Sequence, residues 1–169
     1  MDIMKLDRTM KRNFPNLSSW ISREIPKVKS NPQIFDAFVK YSQLSKSAAT
    51  EALSFNNKPP TIDAAVMRSY GQYRPRFAHN RNKVFLNRRL CREFNKIDPD
   101  IRTGKPWDLI LKATLLHEMV HWGDYVADGV RQPNGRIYDT VKGAWMNDVD
   151  VGFQFEIEAF YAIYTREFL

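Results

Sequence analysis

Apolar residues recur at three- and four-residue intervals along most of this chain, so the pattern predicts a mainly helical protein with one short strand-rich stretch. After Asn31-Pro32, the positions Ile34, Phe35, Phe38, Val39 and Leu44 line one face of a helix whose first turn suits Pro32. A second helix is predicted from Ser47 to about Phe55, stopping near Asn56-Asn57 and Pro59-Pro60. Residues 1–30 carry Pro15 and Pro26 among scattered apolar positions and read as a lead-in or linker with one short helix.

Between residues 61 and 87 the pattern changes to shorter segments rich in Val, Ile, Tyr and Phe, broken by Gly71, Pro75 and the run His79-Asn80-Arg81-Asn82. This predicts a small antiparallel sheet, with Lys83-Val84-Phe85-Leu86 as its best strand. Helical spacing returns from residue 88 to 95, followed by a loop through Pro99, Gly104 and Pro106. The next helix opens at Pro106-Trp107-Asp108 and is apolar nearly all round through Val120, which places it centrally. Gly123 offers it a stop, although the helix could run on toward Gly129. Residues 129–148 read as a long loop with one strand at 136–141, and a last helix runs from about Asp148 to Phe168.

The central helix carries the chemistry, in His117-Glu118-Met119-Val120-His121. Two histidines four apart project from one face about one turn apart, so both imidazoles can reach a single zinc ion. Glu118 lies about 100° round the helix, where its carboxylate can serve as general base toward a water that attacks a peptide carbonyl. The competing reading is two satisfied core histidines, but a polar pair on so apolar a helix requires buried partners.

A catalytic zinc needs a third protein ligand, and no His follows His121. A third His six residues after the second is excluded, because that position is Ala127. The ligand is then a downstream carboxylate: Asp124, Asp128, Asp139, Asp148, Asp150, Glu156, Glu158 or Glu167. Asp124, three residues after His121, suits a partner that orients a ligand imidazole. Glu156 stands in an aromatic segment where a charge should be paired or metal-bound, and Glu158, two residues on, points to a different face. Tyr138, Tyr161 and Tyr164 are candidate oxyanion stabilisers, each with a packing role as the alternative. His79 reads as a surface residue.

At 169 residues the chain fits one domain, expected over residues 31–169 after the lead-in. With 43% hydrophobic residues it can bury a core, and no run approaches the about 18 apolar residues of a membrane span. The N-terminus is too polar for a signal peptide. Cys91 is alone, which excludes an intrachain disulfide and a thiolate metal cluster, and its spacing with Phe94 favours burial. A net charge of +7 draws anionic partners, but the basic residues are dispersed and read as a solvated face rather than a nucleic-acid surface.

With Leu115-Leu116-His117-Glu118-Met119-Val120-His121-Trp122-Gly123-Asp124 and Gly152-x-x-Phe155-Glu156-x-x-Ala159-Phe160, the chain resembles the metallopeptidase toxin 3 family of bacterial polymorphic toxins. Members include C-terminal domains on type VI secretion VgrG spikes. Tyr41-Ser42-Gln43-Leu44-Ser45 and Val84-Phe85-Leu86-Asn87 extend the likeness over roughly residues 31–165. The resemblance implies a small zincin-like α+β fold, mainly helical with a short antiparallel sheet, and a zinc metalloendopeptidase of gluzincin-like ligation. It implies His117, His121 and Glu156 as zinc ligands, with Glu118 as base. Phe160-Tyr161 departs from the aromatic-Gly pair of such domains. The family further implies a secreted antibacterial effector that cleaves a protein or peptide substrate, carried by a secretion system into a target cell's periplasm and neutralised by a cognate immunity protein; the chain itself is expected to be a monomer. An intracellular DNA-associated zinc protease and a non-catalytic zinc-containing binding module are the alternatives.

Overall fold

Three prolines punctuate the first quarter of the chain: Pro15 opens α2 (Pro15–Glu24), Pro26 a 3-10 turn (Pro26–Ser30) and Pro32 α3 (Pro32–Ser42), positions where a missing N–H costs no hydrogen bond. Before them α1 (Arg8–Asn13) starts where the Asp7 carboxylate accepts the Thr9 N–H. The computed structural model describes residues 5–54, 59–96, 106–129, 135–139 and 144–165, with 106, 135–139 and 144–149 described by their backbone alone. Residues 8–30, read from sequence as a lead-in with one short helix, form two helices and a turn. Leu17, Trp20, Ile21 and Ile25 recur at helical spacing and are buried, and Trp20 stands edge-on to Phe94 at 5.1 Å.

After α4 (Lys46–Ala52), capped by Ser45, come β1 (Thr61–Ala65), β2 (Gly71–Tyr73) and β3 (Lys83–Asn87). The sheet order is β1-β3-β2, with β1 parallel and β2 antiparallel to β3. The sheet is therefore mixed, where the short apolar segments between turn residues predicted an antiparallel sheet. The cause is burial: Val84, Phe85 and Leu86 are buried, and that continuous apolar run takes the centre with a partner on each side. Leu6 and its neighbours cover the outer edge of β1 through Asp7 N–H to Ile62 O (2.9 Å) and Ile62 N–H to Lys5 O (2.8 Å). At the other edge, Asn87 fixes the approach to β2 by donating from Nδ2 to the carbonyls of Met67 and Ser69, each at 2.8 Å.

The chain continues through α5 (Arg88–Asn95), α6 (Pro106–Asp128), a hairpin of β4 (Gly135–Asp139) and β5 (Ala144–Val149), and α7 (Val151–Phe160). Helix α6 packs against α3, α7, β2 and β3. Leu111, Leu115, Leu116, Met119 and Val120 are all buried, as its all-round apolarity required. The architecture is α+β, mainly helical, with a small sheet. Cys91 is buried, and burial pushes its thiol up to about 12. No helix of the described residues is long and apolar enough to cross a membrane.

Two boundaries differ from the sequence pattern. Where one strand was expected at 136–141, β4 and β5 pair antiparallel, and α7 ends at Phe160, after which Tyr161 takes a left-handed φ of 60°. Residues 166–168 of the predicted last helix lie outside the described residues, as do the Phe55–Asn57 end of the second helix and the loop through Pro99 and Gly104. Gly123 does not stop α6, which runs on to Asp128. Its bare Cα admits α3 instead: an added Cβ would lie 2.7 Å from Ser42 Cβ and 3.0 Å from Leu44 Cδ1.

Gly123→Ala sets two effects against each other. Helix propensity alone would stabilise the variant by ~1 kcal/mol, whereas overpacking against Ser42 costs about 1–3 kcal/mol. The contact should win, and urea unfolding should show a lower midpoint than the parent; a raised midpoint would mean that α3 and α6 have room to separate.

Candidate metal centre

Along α6, His117 and His121 emerge on one face with ring centroids 5.0 Å apart, both 5% exposed. What meets them is the start of α7. Asp150 is the N-cap of that helix: its Oδ1 accepts the Gly152 N–H at 2.8 Å, and the same oxygen lies 2.7 Å from His121 Nε2 and 3.3 Å from His117 Nε2. The three donor groups lie within 4.8 Å of one another, so one ion could touch all three.

Six residues later Glu156, fully buried, reaches the other side of the same imidazole, its Oε1 2.6 Å from His117 Nδ1. The hydroxyl of Thr165 also donates to this oxygen, while Oε2 accepts the Tyr164 N–H at 2.6 Å. Helix α7 thus holds His117 at both ring nitrogens. This close approach requires glycine at 152, because a Cβ there would stand 2.4 Å from His117 Nε2. Phe153 adds an edge contact with the ring at 5.1 Å.

Glu118 is buried on the side of α6 that faces β2. The Tyr73 N–H of β2 donates to its carboxylate. Here too a glycine makes room, since a Cβ on Gly71 would come within 2.8 Å of both Glu118 Cγ and Thr114 Cγ2. Glu118, both histidines and Asp150 open together onto one hollow of about 210 Å³, floored along one side by Gly71, Gln72 and Tyr73.

The electrostatics follow from this packing. Burial pulls the pKa of His117 down, but hydrogen bonds that its ring N–H groups donate to Asp150 and Glu156 outweigh it and raise the group to about 10. Burial raises the Asp150 carboxyl, and the hydrogen bonds of His117 and His121 overcome it, so it falls well below the usual carboxylate range. Glu118 moves upward: burial dominates over the lowering pull of the two histidines and of the Tyr73 N–H.

Of the residues singled out from sequence, His117, Glu118 and His121 come together, and Asp150 is the downstream carboxylate on their Nε2 side. Glu156 touches His117 at Nδ1, away from that cluster. Glu158 points elsewhere, to Lys40 Nζ at 2.6 Å and Tyr41 Oη at 2.7 Å. Asp124 is buried and accepts from Gln43 Nε2 at the end of α3. Tyr161 is 82% exposed and does not line the hollow. His79 is exposed in a short 3-10 turn. Glu167 and the side chains of Tyr138, Asp139 and Asp148 lie outside the described residues. The sequence did carry a signal for Asp150, as an Asp two residues before Gly152 at the mouth of an apolar helix; Gly71 and Tyr73 carried none.

Two imidazoles and a carboxylate converging on one point suit a divalent ion that accepts nitrogen and oxygen ligands. A model of the family described as metallopeptidase toxin 3 matches residues 10–161, and the chain belongs to that family. The match takes in α2, α6 and α7, so it includes every residue of the cluster. No curated protein and no solved structure matches the chain.

Because metal-free His117 holds its proton up to about pH 10, and only the neutral imidazole ligates, metal uptake at pH 7 should expel about one proton from this residue. Apparent metal affinity should then climb as pH rises toward 10. Calorimetric titrations in buffers of different ionisation enthalpy read this directly; no buffer dependence at pH 7 would mean that His117 is already neutral beside its two carboxylates.

Proposed function

We propose that this member of the metallopeptidase toxin 3 family is a zinc-dependent endopeptidase in which His117, His121 and Asp150 hold the metal and Glu118 is the general base. The observation that carries this reading is Asp150 Oδ1 facing both Nε2 atoms across a buried, concave site. The bound ion supplies a Lewis acid that polarises the scissile carbonyl and eases ionisation of water.

The remaining work belongs to the chain's own side chains. Glu118, steadied by the Tyr73 N–H and raised in basicity by burial, accepts the proton of the attacking water and passes it to the leaving amine. Glu156 accepts from the His117 Nδ1–H, which fixes the ring plane and would keep the Nε2 lone pair free to hold the ion. The third ligand is thus an aspartate at a helix N-cap, and Glu156, which the family resemblance put forward as ligand, becomes the residue that positions His117. Asp124 and Glu158 are left out of this proposal, since Asp124 accepts from Gln43 at the end of α3 and Glu158 meets Lys40 and Tyr41 of α3. Membership of a toxin family supports an effector that is delivered into a target cell, acts on a protein substrate and is held in check by an immunity protein. Antibacterial action in the periplasm is part of the same proposal.

Three variants test the reading in one series, with folding checked by circular dichroism and metal by elemental analysis. Asp150→Ala should lower zinc affinity by more than about 100-fold, and Glu156→Gln by roughly 10–100-fold, the usual effect of losing an imidazole's outer partner. Glu118→Gln should keep its zinc and lose peptide cleavage by about 10²–10⁴-fold, together with toxicity in exported form. A larger metal loss in Glu156→Gln than in Asp150→Ala would return Glu156 to the metal, and full toxicity of Glu118→Gln would make the toxin non-enzymatic.

A further inference from the structure

Strand β2 leads from the metal hollow directly into a second one, of about 650 Å³, and the two share Gln72 and Tyr73. The charged residues lining this second hollow are Arg74, Arg76 and Arg81, and no carboxylate lines it among the described residues. Its apolar wall is Tyr73, Tyr125 and Phe77, the last 53% exposed.

The arginines stand on a preformed frame. The Arg74 guanidinium lies over the Phe85 ring at 5.4 Å, and its Nε donates to Gln72 Oε1 at 2.8 Å. Stacked this way, a guanidinium keeps the remaining donors of its fork for a planar anion. The Tyr73 hydroxyl donates to the Arg81 carbonyl at 2.8 Å, tying the Arg81 turn to β2, and the Tyr73 ring meets Tyr125 of α6 edge-on at 6.0 Å. Arg76 and Arg81 are themselves exposed.

We infer that this arginine hollow is a specificity subsite that selects an acidic side chain, next to an aromatic or aliphatic residue, in the peptide that the metal site cuts. The inference rests on the peptidase reading. An extended peptide advances about 3.3 Å per residue, so the step from Gly71 at the metal hollow to Arg74 places the acidic residue roughly two or three positions from the scissile bond. A carboxylate there meets charge-assisted donors on one side and aromatic faces on the other, and a lysine in its place meets three like charges.

The test is binding of fluorescent octapeptides to the zinc-loaded Glu118→Gln chain, with Glu, Ala or Lys placed in turn at each position beside a Phe. At the selected position Glu peptides should bind about tenfold more tightly than Lys peptides, the effect of one or two partly desolvated ionic contacts. Arg76→Glu/Arg81→Glu should invert that ratio. Arg88→Glu/Arg92→Glu, the same change of charge on the exposed face of α5, should leave it in place. Equal binding of Glu and Lys peptides overturns the subsite, as does an equal loss of selectivity in both double variants, which would reduce it to the general attraction of a basic protein. If selectivity holds while the zinc-loaded parent cuts none of these peptides, the peptidase reading fails alone and the hollow stands as an acidic-peptide site.

Discussion

Helix α7 can approach α6 as closely as it does only because residue 152 has no side chain, and the metal cluster depends on that approach. With His117 lying against the bare Cα of Gly152, the Asp150 carboxylate reaches the Nε2 side of the ring and Glu156 reaches Nδ1. The same Asp150 oxygen caps α7, so the bond that starts the helix also sets the position of the candidate third ligand. One carboxylate oxygen serves both the helix start and the site. A side chain at 152 would break both contacts together.

This arrangement gathers several ionisable groups away from water. His117, His121, Glu118 and Glu156 are all buried, and isolated buried charges cost several kcal/mol each unless paired. Without a metal, a protonated His117 offers one N–H to each of two carboxylates, Asp150 at Nε2 and Glu156 at Nδ1, which is why its pKa is raised in spite of burial. Where a divalent ion takes the proton's place, the cluster exchanges one positive charge for two, and the buried carboxylates gain. Glu118 is the member left without a carboxylate–imidazole hydrogen bond, and burial raises its carboxyl above the usual range. Glycines do comparable work on each side of the site: Gly71 lets β2 close on Glu118 as Gly152 lets α7 close on His117.

Much of this was legible in sequence, for identifiable reasons. The apolar run of α6 and the four-residue spacing of His117 and His121 depend on local periodicity alone, and the burial of Cys91 follows from its neighbours in α5. What depended on distant contacts was harder to read. The scattered apolar residues before Ser30 look like a linker until Trp20 meets Phe94, and β1 pairs in parallel because β3 claims the centre of the sheet. Gly123 looks like a stop and is a contact point with α3. Glu156 drew attention as a charge among aromatics that should be paired or metal-bound, and its Oε1 lies 2.6 Å from His117 Nδ1. Asp150 sat among eight candidate carboxylates, and only the helix cap distinguishes it.

X-ray absorption and anomalous diffraction at the zinc edge, on zinc-loaded crystals of the whole chain, test the assignment most directly. The expected result is two imidazole nitrogens at about 2.0–2.1 Å, from Nε2 of His117 and His121, and a carboxylate oxygen of Asp150 at about 2.0–2.2 Å, with Glu156 hydrogen-bonded to His117 Nδ1. Glu156 within bonding distance of the ion, or zinc seated away from His117 and His121, would contradict it.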